Sequence, residues 1–153
     1  MKPARLATIG YQGSTVQRVV EVLREAHVEL LVDVRAVASS RRPGFSKTRL
    51  AAHLEEAGIG YLHLRGLGTP AEGRTAARAG RHADMRRIFG GHLTTPEAQE
   101  ELEQLAEIIG TGRACCLLCF EADHTHCHRT LVAAAVSSLV PVDILHLAPH
   151  QDE

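Results

Sequence analysis

Short unbroken apolar runs alternate with helically spaced apolar stripes along the chain, and this rhythm predicts strands alternating with helices. Leu6-Ala7-Thr8-Ile9 reads as a first strand. Val16, Val19, Val20 and Leu23 then recur at helical spacing, so an amphipathic helix starts at Ser14 or Thr15. Residues 30–34 form a second apolar run, broken by Asp33. Ser46 is placed to cap a helix that carries Leu50, Leu54 and Ala57, and Gly58 closes it as a C′ glycine. Tyr61-Leu62-His63-Leu64 is a third strand, and a weaker, arginine-rich helix is predicted over 76–89. Thr95-Pro96-Glu97 is a clear helix start, followed by a stripe of Ala98, Leu102, Leu105 and Ile109 and an end at Gly110. A strand over 114–119, a helix from near Cys127 to Ser137 and a strand over 142–147 complete the order.

Apolar strand runs separated by helices indicate a mostly parallel five-stranded sheet covered on both faces. The expected architecture is an α/β three-layer sandwich forming one domain over 1–153, without repeats or a linker. Residues 66–94 are the least regular part and read as a lid or insertion. Three loops, over 10–14, 35–46 and 121–129, leave strands at the same carboxyl edge, where α/β domains place their ligands.

Composition changes this picture little. The net charge of −1 gives no global attraction to nucleic acid or membrane. No apolar signal core precedes the first strand, and no run approaches the ~20 apolar residues of a membrane span. The expectation is a cytoplasmic chain with no membrane partner, whose four cysteines are free thiols or ligands rather than a disulfide framework. Cys115 and Cys119, roughly 13 Å apart on a strand at ~3.3 Å per residue, cannot pair. Cys115 and Cys116 read as small core residues. The basic residues are 15 arginines against Lys2 and Lys47, a bias that GC-rich coding also produces.

The chemistry concentrates at 119–129, where Cys119, Glu121, His124, His126, Cys127, His128 and Arg129 follow a strand and open a helix. A thiolate at a helix N-terminus is a depressed-pKa nucleophile, which favours Cys127, with Arg129 holding an anion. Alternatively, Cys119 and Cys127 with one or more of His124, His126 and His128 have the ligand types for zinc, although no CxxC or HxxxH spacing supports it. The plainest reading is that Glu121 and Arg129 tie the loop together while the cysteines pack.

The other two loops carry weaker signals. The loop of Gly10, Tyr11, Gln12, Gly13 and Ser14 could cradle an anion with its amides, but it lacks the third glycine of a dinucleotide fingerprint and by itself reads as a tight turn. Asp33 is costly to bury unless paired, and Arg35 is its obvious partner. Arg41, Arg42 and Lys47 then make the following loop a candidate anion site, with Ser46 at its end.

Residues 31–35, Leu-Val-Asp-Val-Arg, resemble a strand of rhodanese-type sulfurtransferases, and a strand ending in Cys resembles cysteine phosphatases. Both families join that Cys to the helix Arg by a short loop. Here nine residues separate Cys119 from Arg129 and only His128 separates Cys127 from it, so neither assignment holds. Thr8-Ile9-Gly10-Tyr11-Gln12-Gly13, Val32-Asp33-Val34-Arg35 with Ser40-Arg41-Arg42-Pro43-Gly44-Phe45-Ser46, and Leu118-Cys119-Phe120-Glu121 with Cys127-His128-Arg129 together resemble the domain-of-unknown-function family 488. Ala38 and His124 stand where that family is expected to have proline. The resemblance implies a Rossmann-like fold and a site built from these blocks, and no established reaction.

The leading expectation is a small enzyme, a cysteine-dependent transferase or hydrolase, acting on an anionic ligand such as a nucleotide or nucleic-acid end. Its ligand-binding set is Gly10, Tyr11, Gly13, Ser14, Asp33, Arg35, Arg41, Arg42, Ser46 and Arg129, and its catalytic set is Cys127, Cys119, Glu121 and His128. The alternatives are a non-catalytic ligand sensor or nucleic-acid-binding module, and a Cys/His zinc-site protein. The residues name no cofactor and set no oligomeric state.

Overall fold

The computed structural model describes residues 3–149, so the ends of the expected 1–153 domain lie outside the described residues. Five strands, β1 (Ala4–Gly10), β2 (Leu30–Asp33), β3 (Gly60–His63), β4 (Cys115–Cys119) and β5 (Val142–Leu147), form one sheet in the order β3-β2-β4-β1-β5. Every pairing is parallel, as the unbroken apolar runs predict. Such a sheet needs a helix at each crossover. α1 (Val16–Glu25) and α2 (Lys47–Glu56) cover one face, and α3 (Ala71–Arg78), α4 (His82–Leu93), α5 (Pro96–Gly110) and α6 (His128–Ser137) cover the other. The result is a Rossmann-like three-layer sandwich.

Local sequence explains the helix starts. The Thr15 hydroxyl accepts from the Arg18 amide at 3.1 Å and sends Val16, Val19 and Leu23 into the core. Thr95 caps α5 in the same way, with Pro96 at its first position, and the stripe Ala98, Leu102, Leu105 and Ile109 is buried. The expected single helix over 76–89 is corrected to two. Gly80 takes φ of 79° and ends α3, and the chain restarts at His82 and runs to Leu93. α4 buries Met85 and Phe89 against the sheet, while α3 buries only Gly73 and Ala76. Amides of α3 should therefore exchange with solvent faster than those of β4. Equal protection in a hydrogen-exchange measurement would make α3 a rigid part of the domain rather than a lid.

The crossovers also position a crevice. The chain leaves β1 through α1 on one face and leaves its neighbour β4 through α6 on the other. Adjacent strands whose connections diverge form a switch point, where the carboxyl edge opens into a cleft. At this point the chains approach closely: a Cβ on Gly10 would lie 1.7 Å from the Glu121 carbonyl oxygen. Only glycine fits the end of β1 while that carbonyl is where it is. Among the described residues no helix is long and apolar enough to cross a membrane.

Candidate functional site

Three buried side-chain networks build the floor of the crevice. In the first, Asp33 and Arg35 form a bidentate pair at 2.9 and 2.7 Å, and both side chains are buried. The Tyr61 hydroxyl donates to Asp33 at 2.6 Å, and Arg35 Nη1 donates to the Tyr11 hydroxyl at 3.2 Å. Burial alone would lower the Arg35 pKa, but the hydrogen bonds and charge of Asp33 outweigh it and hold the guanidinium charged. Burial and the hydrogen bond to Asp33 push the Tyr61 phenol up. His63 and His128 fix the strand exit above this pair, each with Nε2 on a carbonyl, that of Arg35 at 2.7 Å and that of Val34 at 2.6 Å.

In the second, Arg129 is fully buried and its guanidinium is spent inside the protein. It donates to the carbonyls of Glu121 at 2.6 Å and Ala122 at 3.4 Å, to the Thr8 hydroxyl at 3.1 Å and to Cys119 Sγ at 3.3 Å. Burial lowers its pKa to about 10, which leaves it charged near neutral pH. Thr8 in turn bonds His146 Nδ1 at 2.6 Å.

The third network is the cysteine pair. Cys119 ends β4 and Cys127 caps α6, and the turn between them folds back so that their sulfurs meet in a disulfide with Cα atoms 7.4 Å apart. The expectation of four free thiols or ligands is corrected for these two, because the turn returns the helix start to the strand end. Cys115 and Cys116 are free and buried, and burial pushes the Cys115 thiol up to about 11. The Glu121 carboxyl lies 4.0 Å from Cys119 Sγ, and burial raises its pKa. Burial holds His128 neutral, with a pKa lowered to about 4.

Above the floor lies a cavity of about 780 Å³. Tyr11, Arg35, Cys119, Glu121 and His128 reach it from the expected set, whereas Cys127 and Arg129 do not line it. The loop over 10–14 offers few free amides, since Tyr11 and Gln12 donate to the carbonyls of Cys119 and Phe120 and Ser14 donates to Tyr11. Gly10 and Gly13 serve there as close approach and turn, Gly13 with φ of 77°. Arg41, Arg42 and Ser46 are not brought to the cavity. Arg42 Nε donates to the Ser14 carbonyl at 2.7 Å, Ser46 is tied to Ser40, and Arg41 is exposed.

The far wall is built by Arg74 and Arg78 of α3 and His82 of α4, which the sequence did not single out, together with His126, weighed there as a zinc ligand, and Asp123 beside them. The rings of His82 and His126 stack at 3.9 Å, and His126 Nδ1 faces Asp123 at 3.3 Å. Arg74 and Arg78 stand four residues apart, so they share a helix face, and that spacing was the available signal. Tyr61 and His63 were legible only as strand residues, and Thr8 only as part of the first strand and of the opening block that carries the family resemblance.

The fold and this edge define a Rossmann-like α/β domain with a Cys/His/Arg/Glu cluster at its switch point. The chain belongs to the DUF488 family, a domain of unknown function, which matches residues 15–136. The opening strand and its glycine loop precede the matched stretch. No curated protein and no solved structure matches the chain.

Proposed function

We propose that the protein is an enzyme that binds a phosphate-bearing or similarly anionic ligand in the carboxyl-edge cavity and acts on it through the cysteine-bearing floor. The observation that carries this reading is the charge balance of the lining. Arg35 is matched by Asp33, Asp123 is engaged by Thr125 and His126, and burial moves Glu121 toward its neutral form. Arg74 and Arg78 have no carboxylate partner among the described residues, and their guanidinium contacts are to the Thr69 carbonyl and the Thr75 hydroxyl. Two unmatched guanidiniums on one wall suit bidentate contact with phosphate oxygens.

The opposite side supplies reactive groups. Cys119, and not Cys127, is the cysteine that a bound ligand reaches. In the reduced protein the Arg129 guanidinium at 3.3 Å favours the Cys119 thiolate, and Glu121 at 4.0 Å is the proton-transfer group. A non-catalytic anion sensor would need the wall without the floor.

Calorimetric titration with pyrophosphate tests the cationic wall that both readings share. Arg74→Gln and Arg78→Gln should each weaken binding by about tenfold or more, the effect of losing a hydrogen bond to a charged group. Cys119→Ser and Glu121→Gln should bind as the natural protein does. Absence of binding, or binding indifferent to Arg74 and Arg78, would contradict the proposal.

A further inference from the structure

Three potential ligand atoms converge at the floor of the cavity. Sγ of Cys119, Sγ of Cys127 and a ring nitrogen of His128 lie within 4.8 Å of one another, and all three residues are buried. The informative residue is His128. Its Nε2 lies 2.6 Å from the Val34 carbonyl oxygen, which can only accept, so Nε2 carries the proton. In the neutral ring the lone pair is then on Nδ1, which lies 3.9 Å from Cys127 Sγ. Metal-ligating imidazoles are held in this manner, with one nitrogen on a carbonyl and the other free for the ion.

The two sulfurs fit the same role. Arg129 Nη1 supports negative charge on Cys119. The Cα separation of 7.4 Å exceeds the about 4.4–6.8 Å that disulfides usually span. Two thiolates on one ion, with Zn–S about 2.3 Å, stand about 3.7 Å apart and suit the wider spacing.

We infer that Cys119 and Cys127, once a dithiol reductant has passed two electrons and two protons to their disulfide and left as its own disulfide, form with His128 a three-ligand site for a thiophilic divalent cation such as zinc, with the fourth position facing the cavity. Binding displaces one proton from each thiol and leaves the ligands as two thiolates and one neutral imidazole. Thiolate ligands select zinc-like ions over magnesium or calcium. Cys119 and His128 line the cavity, as Glu121 beside Cys119 does, and on this inference the uncovered position is on that side. Two cysteines and one histidine with an open position is the pattern of a catalytic rather than a structural zinc site. The inference deepens the proposed function and rests on it only for what occupies the open position.

The test is a titration of reduced, metal-free protein with cobalt(II), followed by zinc. One equivalent of cobalt should produce thiolate-to-cobalt charge-transfer absorption, which zinc should then displace. Bound zinc should block alkylation of both Cys119 and Cys127. Cys119→Ser and Cys127→Ser should each abolish the absorption band. His128→Gln keeps an N–H donor for the Val34 carbonyl but lacks the Nδ1 ligand. It should weaken binding by more than the about 10–100-fold that losing a supporting contact costs, whereas His126→Gln should leave it unchanged. Should a variant fail to fold, alkylation protection in the natural protein carries the test. No band with both thiols reduced, unimpeded alkylation in zinc, or undiminished affinity in folded His128→Gln would overturn the inference. Arg74→Gln/Arg78→Gln should bind cobalt normally while losing pyrophosphate, so a natural protein that shows the cobalt band but binds no pyrophosphate counts against the anion reading alone.

Discussion

Replacing Arg129 with alanine should destabilise the protein by about 3–5 kcal/mol, a loss typical of truncating one member of a buried polar network. The guanidinium is fully buried and holds two carbonyls of the loop after β4 and the hydroxyl of Thr8 in β1. Its removal orphans those two carbonyls at the switch point of the sheet and leaves the Thr8 hydroxyl with His146 alone. At about 2–4 °C per kcal/mol for a domain of this size, the melting temperature should fall by about 10 °C. Arg129→Lys should retain the charge but not the fork, and fall in between. A melting curve unchanged in Arg129→Ala would mean that the guanidinium does not organise the loop.

An effect of similar size is expected from Asp33→Ala. Arg35 would be left charged and buried with no counter-ion, and the Tyr61 hydroxyl would lose its acceptor. Breaking a buried pair on one side costs about 3–5 kcal/mol, whereas removing both charges is often nearly neutral. Asp33→Ala should therefore lower the urea midpoint sharply, and Asp33→Ala/Arg35→Met should recover much of the loss. A double variant as unstable as the sum of the single ones would show that the two residues act independently.

The parts of this molecule that were legible in the sequence are those whose signal is local. Thr95-Pro96 and the stripe from Ala98 to Ile109 specify α5 by capping and periodicity alone, and the helix follows that pattern. The unbroken strands imply a parallel sheet because both faces must be covered, and the shared carboxyl edge then follows. The Asp33–Arg35 pair was readable because a carboxylate in an apolar run needs a partner. What could not be read depends on contacts between distant segments. The long reach of Arg129 to Thr8, 121 residues away, has no sequence signature. Nor does the return of Cys127 onto Cys119, which the intervening 3-10 turn His124–His126 allows. The helix break at Gly80 is a single left-handed residue in an arginine-rich stretch with weak periodicity. Missing it hid the short helix that turns Arg74 and Arg78 toward the cavity.

The link between the cationic wall and the cysteine floor is measured most directly by the alkylation of Cys119 in reduced, metal-free protein. Mass spectrometry would follow its modification by neutral iodoacetamide near neutral pH, with and without pyrophosphate. If an anion held by Arg74 and Arg78 sits over the Cys119 sulfur, pyrophosphate at ten times its dissociation constant should slow the reaction by about tenfold, from occupancy alone. The protection should vanish in Arg74→Gln/Arg78→Gln. Modification of Cys119 at the same rate whether or not pyrophosphate is bound would contradict the account.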